Sequence, residues 1–433
     1  MSYEQTELAA PESGAVYETD GGQNSIGSVV RRSLQSYIMV FALLVIVIVF
    51  WVWSGGTFVS PGNLTNLITQ TAAVGVMASG MTMVIILRHI DLSVGYMSGF
   101  MGAVAAILMV NYGVPSILSI ILVMAFGGVI GLGVGLLIGR VGIPAFVITL
   151  GMMIVGHGVE LLATRSSGTI IIGDSFFNAL SNGFIPSGGH IFGMCTTTVV
   201  LGLVGLVAFI VMQVMGQIRE QRRHFDVTPL PIFVVRVLFV VIVAGFLIVQ
   251  LARNNGISWA LVILGVVTAT FAVVQTRTRF GRHVYGVGGN PEAAELSGVS
   301  VVRVTVTVFI IMGVLMALGG VLIASRMRAA YPTAGTGLEL LVIAGCFIGG
   351  CSPNGGVGRV VGSLVGALIM QSLVNGMLLM KVDASMQYVI QGVILVAAVI
   401  FDVVSRRAGA VPSGSSANRP VEEAAQPAEA VTA

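Results

Sequence analysis

Charged residues are scarce in this sequence, and their scarcity excludes a soluble fold. Only 9% of the 433 residues are Asp, Glu, Lys or Arg, whereas soluble domains carry about 25%. Hydrophobic residues make up 56% of the chain, and its mean hydropathy is +0.99. So few polar groups could not cover the surface of a soluble protein of this size. We therefore expect lipid to surround most of the chain.

Lysine and cysteine are also nearly absent. Lys381 is the only lysine, and no spaced glycines of a phosphate-binding loop precede it, which excludes ATP hydrolysis by that route. The odd count of three cysteines (Cys195, Cys346 and Cys351) argues against a disulfide framework. No histidine stands near them at ligand spacing, so we interpret them as packing residues and expect no metal site.

Other signatures of chemistry are missing as well. The sequence has no His-Glu-x-x-His motif, no Gly-x-Ser-x-Gly elbow and no pair of inward carboxylates. We therefore predict no catalytic residues and no cofactor, and the net charge of +3 gives no indication of nucleic-acid binding.

Long apolar segments fill the space between the charges. No charged residue occurs between Arg32 and Arg88, or between Asp91 and Arg140. A helix needs about 20 residues to cross the hydrocarbon core, so each interval has room for two crossings. The predicted spans are 37–53, 64–86, 93–110, 115–139, 142–163, 197–215, 232–251, 258–274, 302–325, 357–379 and 385–403. A shorter apolar piece, 338–350, either spans or dips in and returns. The expected fold is an all-α polytopic transmembrane bundle of about 10–12 spans.

The basic residues indicate an orientation. With the N-terminus in the cytoplasm, sixteen of the 21 basic residues lie inside, and five lie outside: Arg165, Arg253, Arg326, Arg328 and Lys381. Because positive charge concentrates in cytoplasmic loops, both termini are predicted to be cytoplasmic. The ends, 1–35 and 406–433, are rich in Gly, Ser, Pro, Ala and Glu, and are predicted to be disordered tails around a transmembrane domain at 36–405.

The first motif is the polar break from Arg88 to Gly95. Arg88 and Asp91 stand three residues apart, so on a helix they could pair. Asp91 or Ser93 could instead cap the helix that follows. The break is either a capped helix start at the membrane interface or a feature that shapes a pathway or gate.

The second motif runs from Gly288 to Gly298. Pro291 suits the first position of a helix, and Glu292 and Glu295 fall in its first turn. Ala293 and Ala294 are small, which suits a helix seated against a partner. The segment therefore predicts a short helix outside the lipid, which is either a solvated connection or a docking site for a soluble protein.

Polar side chains inside the spans form the third group. Neutral amides both donate and accept hydrogen bonds, which suits hydroxyl-rich solutes, although the same groups also join helices to one another. The candidates for a translocation path are Asn66, Gln70, Thr71, Asp91, Ser93, Thr149, Gln371 and Asn375.

Four segments, in order, resemble the permease subunits of bacterial ribose- and xylose-type ABC sugar importers. They are Ile90–Gly95, Ile143–Gly151, Gly288–Val299 and the glycine-rich Gly349–Gly358. The resemblance covers about residues 37–405, and the extra spans around 197–251 are similar to the longer xylose-type members. Arg88 and His89 depart from the family, which usually has two glycines there.

The resemblance implies a permease that carries a monosaccharide, such as a pentose, across the cytoplasmic (inner) cell membrane. The implied partners are separate cytoplasmic ABC ATPase subunits, a periplasmic or lipid-anchored sugar-binding protein, a second copy of the chain in a homodimer, and membrane lipid. It also implies that the ATPase docks on a coupling helix formed by Asn290, Pro291, Glu292, Ala293, Ala294, Glu295, Leu296, Ser297 and Gly298.

Two other functions stay open. An ion-coupled secondary transporter would need ionisable groups inside the membrane, and Glu160 is the only carboxylate clearly within a predicted span. A non-transporting membrane scaffold for a soluble partner would need no such groups.

Overall fold

Most of the described chain is helical. The computed structural model describes residues 26–165, 168–222 and 230–409, so most of both predicted tails lies outside the described residues. The α-helices are α1 (Ile26–Trp53), α2 (Pro61–Ile86), α3 (Val94–Val110), α4 (Ser116–Gly139), α5 (Ala145–Thr164), α6 (Ser175–Asn182), α7 (Thr196–Arg222), α8 (Leu230–Arg253), α9 (Trp259–Arg277), α10 (Arg279–Gly289), α11 (Pro291–Leu296), α12 (Val301–Met327), α13 (Leu338–Ile348), α14 (Val360–Leu379) and α15 (Ala384–Gly409). The strands are β1 (Ile170–Ile171), β2 (His190–Ile191), β3 (Met194–Cys195) and β4 (Ala329–Ala330).

The helices confirm the predicted polytopic bundle. Among the described residues, eight helices are long and apolar enough to cross a membrane: α2, α4, α5, α7, α8, α9, α12 and α14. Four shorter apolar helices lie at 39–53, in α3, in α13 and at 384–397. Each predicted span therefore corresponds to one helix. The cytoplasmic placement of the termini stays a prediction.

The most polar of the long helices is also the most buried. Of the eight long helices, α2 is the least apolar and the most buried, whereas α7 and α8 are strongly apolar and have almost no buried residues. The helix α12 is as apolar as α8 but is largely buried. Polar groups such as the amides and hydroxyls of α2 are costly in hydrocarbon, so they face protein neighbours. The helix α2 therefore forms the centre of the bundle, with α12 and α14 packed beside it.

Glycines bring α4 and α12 into direct backbone contact. A Cβ placed at Gly131 would lie 2.9 Å from the carbonyl carbon of Phe309 and 3.0 Å from the Cα of Ile310. Gly127 and Gly313 approach each other in the same way one turn along. Small residues permit this closeness between membrane helices, where dispersion contacts replace the hydrophobic effect.

Two helices are too short to cross the membrane alone, and an irregular segment precedes each. At about 1.5 Å per residue, α3 and α13 are about 26 and 17 Å long, less than the roughly 30 Å core. Residues 87–93 lead into α3, and residues 328–337 lead into α13. The two meet at glycines, because a Cβ at Gly335 would lie 2.7 Å from the carbonyl carbon of Gly95. The apolar piece predicted at 338–350 is therefore a half-length helix.

The two ends of the bundle differ. One end, here called the α11 face, carries α10, α11 and the loop 349–359, where the Tyr285 hydroxyl donates to the carbonyl of Gly358 at 2.6 Å. The other end, here called the far face, carries α6 and the antiparallel pair of β1 with β4. There Ser325 at the end of α12 donates to the carbonyl of Phe177 at 2.7 Å.

Candidate functional site

A polar cavity of about 290 Å³ lies between α2, α12, α13, α14 and α15, toward the far face. Its volume is close to the lower end of the range of about 300–1,000 Å³ that is typical of small-molecule sites. The polar side chains on its wall are Thr69, Gln70, Arg326, Tyr331, Thr333, Thr336, Gln371, Gln387, Tyr388 and Gln391. Apart from Arg326, these polar side chains are neutral groups that can hydrogen-bond a solute, and the rest of the wall is apolar side chains and glycine.

Two glutamines on the wall of this cavity join the central helices α2 and α14. Gln371 on α14 donates from Nε2 to Oε1 of Gln70 on α2 at 2.8 Å. Both side chains are buried. This bond uses one N–H of Gln371 and one acceptor of Gln70, so each amide keeps further hydrogen-bonding capacity for a solute. The pair fixes the two amide planes at the inner wall of the cavity.

Arg326 is the one charged side chain among the described residues that line the cavity. Its Nη2 donates to Oδ1 of Asn66 at 3.2 Å. Asn66 is exposed on α2 and does not line the cavity. The bond holds the guanidinium at the rim of the cavity on the far face. Arg326 is one of the five basic residues that the charge pattern assigns to the outside.

The structure separates the predicted path residues into groups. Gln70 and Gln371 lie on the cavity wall. Thr71 donates to the carbonyl of Leu67 in its own helix at 2.8 Å. Asn375 accepts from Asn63 at 2.9 Å and so joins α14 to the start of α2. Thr71 and Asn375, which do not line the cavity, therefore form hydrogen bonds within the protein. A role in translocation stays a prediction for all of the candidates.

Sequence reasoning missed most of the cavity wall. Gln387 and Gln391 are one helical turn apart in the predicted span 385–403, so their spacing could have identified them as one face of a helix. Tyr331, Thr333 and Thr336 belong to the irregular segment before α13, where no periodicity marks an inward side.

The remaining path candidates lie at the break between α2 and α3. Oδ1 of Asp91 accepts from the backbone N–H of Ser93 at 2.9 Å and from its hydroxyl at 2.6 Å. Thr149 on α5 donates to the carbonyl of Ile90 at 3.2 Å. The Asp91 side chain therefore closes a turn just before α3, and neither Asp91 nor Ser93 caps an N–H of α3 itself.

The prediction that Arg88 pairs with Asp91 is wrong. Arg88 has a positive φ of 66°, so the chain leaves α2 in a turn, and the helical spacing of the two residues does not apply. The Nε of Arg88 donates to the carbonyl of Gly288 at 2.8 Å, and its Nη2 donates to the carbonyl of Gly289. The guanidinium therefore binds the end of α10.

Two carboxylates are buried beside the irregular segment that precedes α13. Glu160 on α5 accepts from the backbone N–H of Gly335 at 3.3 Å. Glu339, in the first turn of α13, packs against Gly95. The Oε2 atom of each has no hydrogen-bond partner among the described residues. Glu160 is therefore not the only carboxylate within the bundle, because the short helix α13 brings in a second.

The helix α11 has the form that the sequence predicted. The side chain of Asn290 accepts from the backbone N–H of Ala293 at 3.0 Å, which caps the helix start, and Pro291 occupies the first turn. Gly298 ends the segment with a φ of 82°. The segment lies beyond the ends of the spanning helices.

The two sides of α11 differ. Ala294 is buried against the chain's own core, whereas Glu292, Ala293 and Glu295 are exposed. Leu296 is 92% exposed. Ala294 therefore seats α11 on the bundle, which corrects the expectation that its small size serves a surface for another protein. The exposed apolar group of this helix is Leu296.

Transport proteins of the membrane often place their binding sites beside helices that are broken within the bilayer, and here the cavity lies beside the short helix α13, which follows an irregular segment. The comparisons with known proteins agree. The chain belongs to the family described as "Branched-chain amino acid transport system / permease component", whose model matches residues 63–399. It is accordingly a multi-pass protein of the cytoplasmic membrane and a permease of a transport system, not an enzyme.

Relatives of this chain are named as sugar permeases. It is 36% identical over 391 residues to the xylose transport system permease protein XylH of Escherichia coli (strain K12), covering 90% of this chain and 96% of that one. The XylH of Haemophilus influenzae is 35% identical over 383 residues, or 87% and 98% of the two chains. The ribose import permease protein RbsC of Escherichia coli (strain K12) is 30% identical over 361 residues, or 83% and 91%. No solved structure matches the chain.

Proposed function

We propose that this chain is the membrane-spanning permease of an ATP-driven importer and carries a monosaccharide, with xylose and ribose as the first candidates. The observation that carries the proposal is the cavity of neutral amides and hydroxyls at Gln70, Gln371, Gln387, Gln391 and Tyr388. A sugar presents hydroxyls in every direction, and groups that both donate and accept can satisfy them. The names of the relatives support the same substrate class.

The proposal assigns one partner to each end of the bundle. The α11 face is placed in the cytoplasm, where the exposed Leu296 and the acidic Glu292 and Glu295 offer a surface to an ATPase subunit. The far face, onto which the cavity opens, is placed outside and receives sugar from a binding protein. Two copies of the chain form the permease. ATP binding in the partner then shifts the bundle between two states of access to the cavity.

Reconstitution tests the proposal. The permease, its neighbouring ATPase and the binding protein are placed in vesicles, and uptake of labelled D-xylose and D-ribose is followed with ATP or a non-hydrolysable analogue. We expect that one of the two sugars is taken up in the presence of ATP and that neither is taken up with the analogue. Uptake that is equal with the analogue would contradict an ATP-driven mechanism.

Cavity variants test the site itself. Gln371→Met removes an amide at similar volume, and the loss of about 1 kcal/mol of hydrogen bonding should raise KM about fivefold. Thr69→Val and Thr71→Val form a matched pair, because both hydroxyls donate to their own helix at 2.9 and 2.8 Å but only Thr69 lines the cavity. We expect a raised KM for Thr69→Val and an unchanged KM for Thr71→Val. Equal effects would remove the cavity from the sugar's path.

One observation favours a second candidate, an ion-coupled transporter. Glu160 and Glu339 each hold a buried carboxylate oxygen without a hydrogen-bond partner among the described residues, and buried carboxylates serve as proton or ion sites in such proteins. A protonophore that abolishes uptake while ATP has no effect would favour this candidate. No uptake with either energy source would favour a membrane scaffold.

A further inference from the structure

Arg88 lies where three separate sequence motifs meet. It belongs to the break that follows α2, and its guanidinium binds the carbonyls of Gly288 and Gly289 at the end of α10. The third motif is the glycine-rich loop 349–359, in which Gly355 packs against the Arg88 side chain and the N–H of Gly356 donates to the carbonyl of Ile86 at 2.9 Å. One side chain thus contacts two segments that lie far away in sequence.

The backbone at Arg88 is the kind that normally selects glycine. The N–H of His89 donates to the carbonyl of Val84 at 3.1 Å, and the N–H of Arg88 donates to that of Ile85 at 2.9 Å. These two bonds define the helix ending in which a left-handed residue, usually glycine, follows the last turn. Arginine at a φ of 66° is unfavourable in itself, so the side chain must compensate through its contacts.

Those contacts are electrostatically favourable. The last carbonyls of α10 have no partner within the helix and carry its negative dipole end. Two hydrogen bonds from a guanidinium satisfy them with a charged donor. Asn290 follows at once and caps α11, so Arg88 holds the junction from which α11 starts.

A second set of contacts leads from Arg88 to the cavity. Beyond Arg88, the Asp91–Ser93 turn begins α3, whose Gly95 packs against the backbone of Gly335. Thr336, next to Gly335, lines the cavity. A displacement of α11 therefore has a continuous path of packed chain to the cavity wall.

Resting on the proposed function, in which α11 docks the ATPase, we propose that Arg88 is a positioning residue that couples the movement of α11 to the cavity through the α2–α3 break. Arg88→Gly is the clean perturbation, because it deletes the guanidinium and keeps a backbone that glycine adopts without strain. Arg88→Lys keeps the charge but loses the planar fork of donors. Arg140→Ala is the control, since Arg140 is exposed at the end of α4 and makes no side-chain hydrogen bond among the described residues.

Hydrogen exchange in the reconstituted permease–ATPase complex follows the movement without knowledge of the sugar. In the wild type and in Arg140→Ala, ATP with vanadate should change exchange both at residues 290–298 and at 87–95. In Arg88→Gly the change at 290–298 should persist, and the change at 87–95 should fall about tenfold, as expected when a charge-assisted hydrogen bond is lost. In Arg88→Gly, sugar uptake per ATP hydrolysed should fall by about the same factor. Arg88→Lys should give values between those of the wild type and Arg88→Gly.

The outcomes separate the two proposals. An unchanged response at 87–95 in Arg88→Gly, beside a normal response at 290–298, would overturn the role of Arg88 alone. If residues 290–298 of the wild type do not respond to ATPase and nucleotide, the docking proposal fails and the role of Arg88 falls with it. Arg88→Lys provides the same comparison if Arg88→Gly is recovered in low yield, and a response equal to that of the wild type would again count against the role of Arg88.

Discussion

Leu296 on α11 offers a direct test of ATPase docking. The side chain is 92% exposed, so Leu296→Ala removes apolar surface without opening a cavity in the permease. Alanine also has a higher helix propensity than leucine, so α11 should persist. We therefore expect insertion and thermal stability to be unchanged.

The effect on docking should be large in comparison. Full burial of a leucine side chain contributes about 1.5–3 kcal/mol, most of which alanine forfeits. A loss of about 2 kcal/mol weakens the affinity of the ATPase about 30-fold. The neighbouring Glu295→Gln alters a charge at the rim and should cost at most about 1 kcal/mol, with an effect that shrinks at high salt.

The affinity can be measured by titration of fluorescent ATPase onto the permease in lipid nanodiscs. Leu296→Met, which keeps the volume and the apolar character, is the matched control and should bind nearly as the wild type does. An affinity for Leu296→Ala within about twofold of the wild type would place the docking surface elsewhere. Ala294→Trp is a poorer probe, because this buried residue seats α11 on its own bundle.

Four further predictions concern orientation, packing, capping and pH. A single cysteine at Arg282, in a background without the native three, should resist an impermeant thiol reagent in intact cells, and labelling from outside would reverse the orientation. Gly131→Ala should lower the Tm in detergent, since overpacking costs about 1–3 kcal/mol. A Cβ at Gly133 would meet no atom within 4 Å, so Gly133→Ala should leave the Tm unchanged or raise it. Equal effects of the two variants would contradict the α4–α12 contact. Asp91→Ala removes the two hydrogen bonds from Ser93, so it should cost about 1 kcal/mol and reduce uptake, while Asp91→Asn keeps the accepting oxygen and should be milder; the reverse order would make the charge itself essential. A backbone N–H of α6 lowers the pKa of Asp174 below its ordinary 3.8. The stabilisation by the ionised carboxylate is therefore complete above pH 3.8 and is lost as the pH falls through the lowered pKa. The difference in Tm between the wild type and Asp174→Ala should vanish in acid, and its persistence there would refute the ionic cap.

The spanning helices could be predicted because one property decides them. A run of about 20 apolar residues without charge has few alternatives in lipid, so the segment 115–139 needed no tertiary information. The polar motif at Asn290 was equally local, since a side chain that caps its own helix contacts only its neighbours.

The site could not be predicted in the same way because its contacts are distant in sequence. Gln70 and Gln371 meet across 301 positions, and each alone is compatible with a simple helix-to-helix bond. Arg88 shows the complementary difficulty. Its spacing from Asp91 implied a local pair, but a single residue with positive φ turned the side chain toward α10.

The neutral wall of the cavity has an electrical consequence. A sugar without charge that passes amides and hydroxyls carries no current, provided that the guanidinium of Arg326 stays at its rim beside Asn66. A membrane voltage does work of about 2.3 kcal/mol per elementary charge for each 100 mV, and an uncharged sugar gives it no charge on which to act. Accumulation of the sugar would then be set by the energy of ATP alone and would be the same in polarised and depolarised cells.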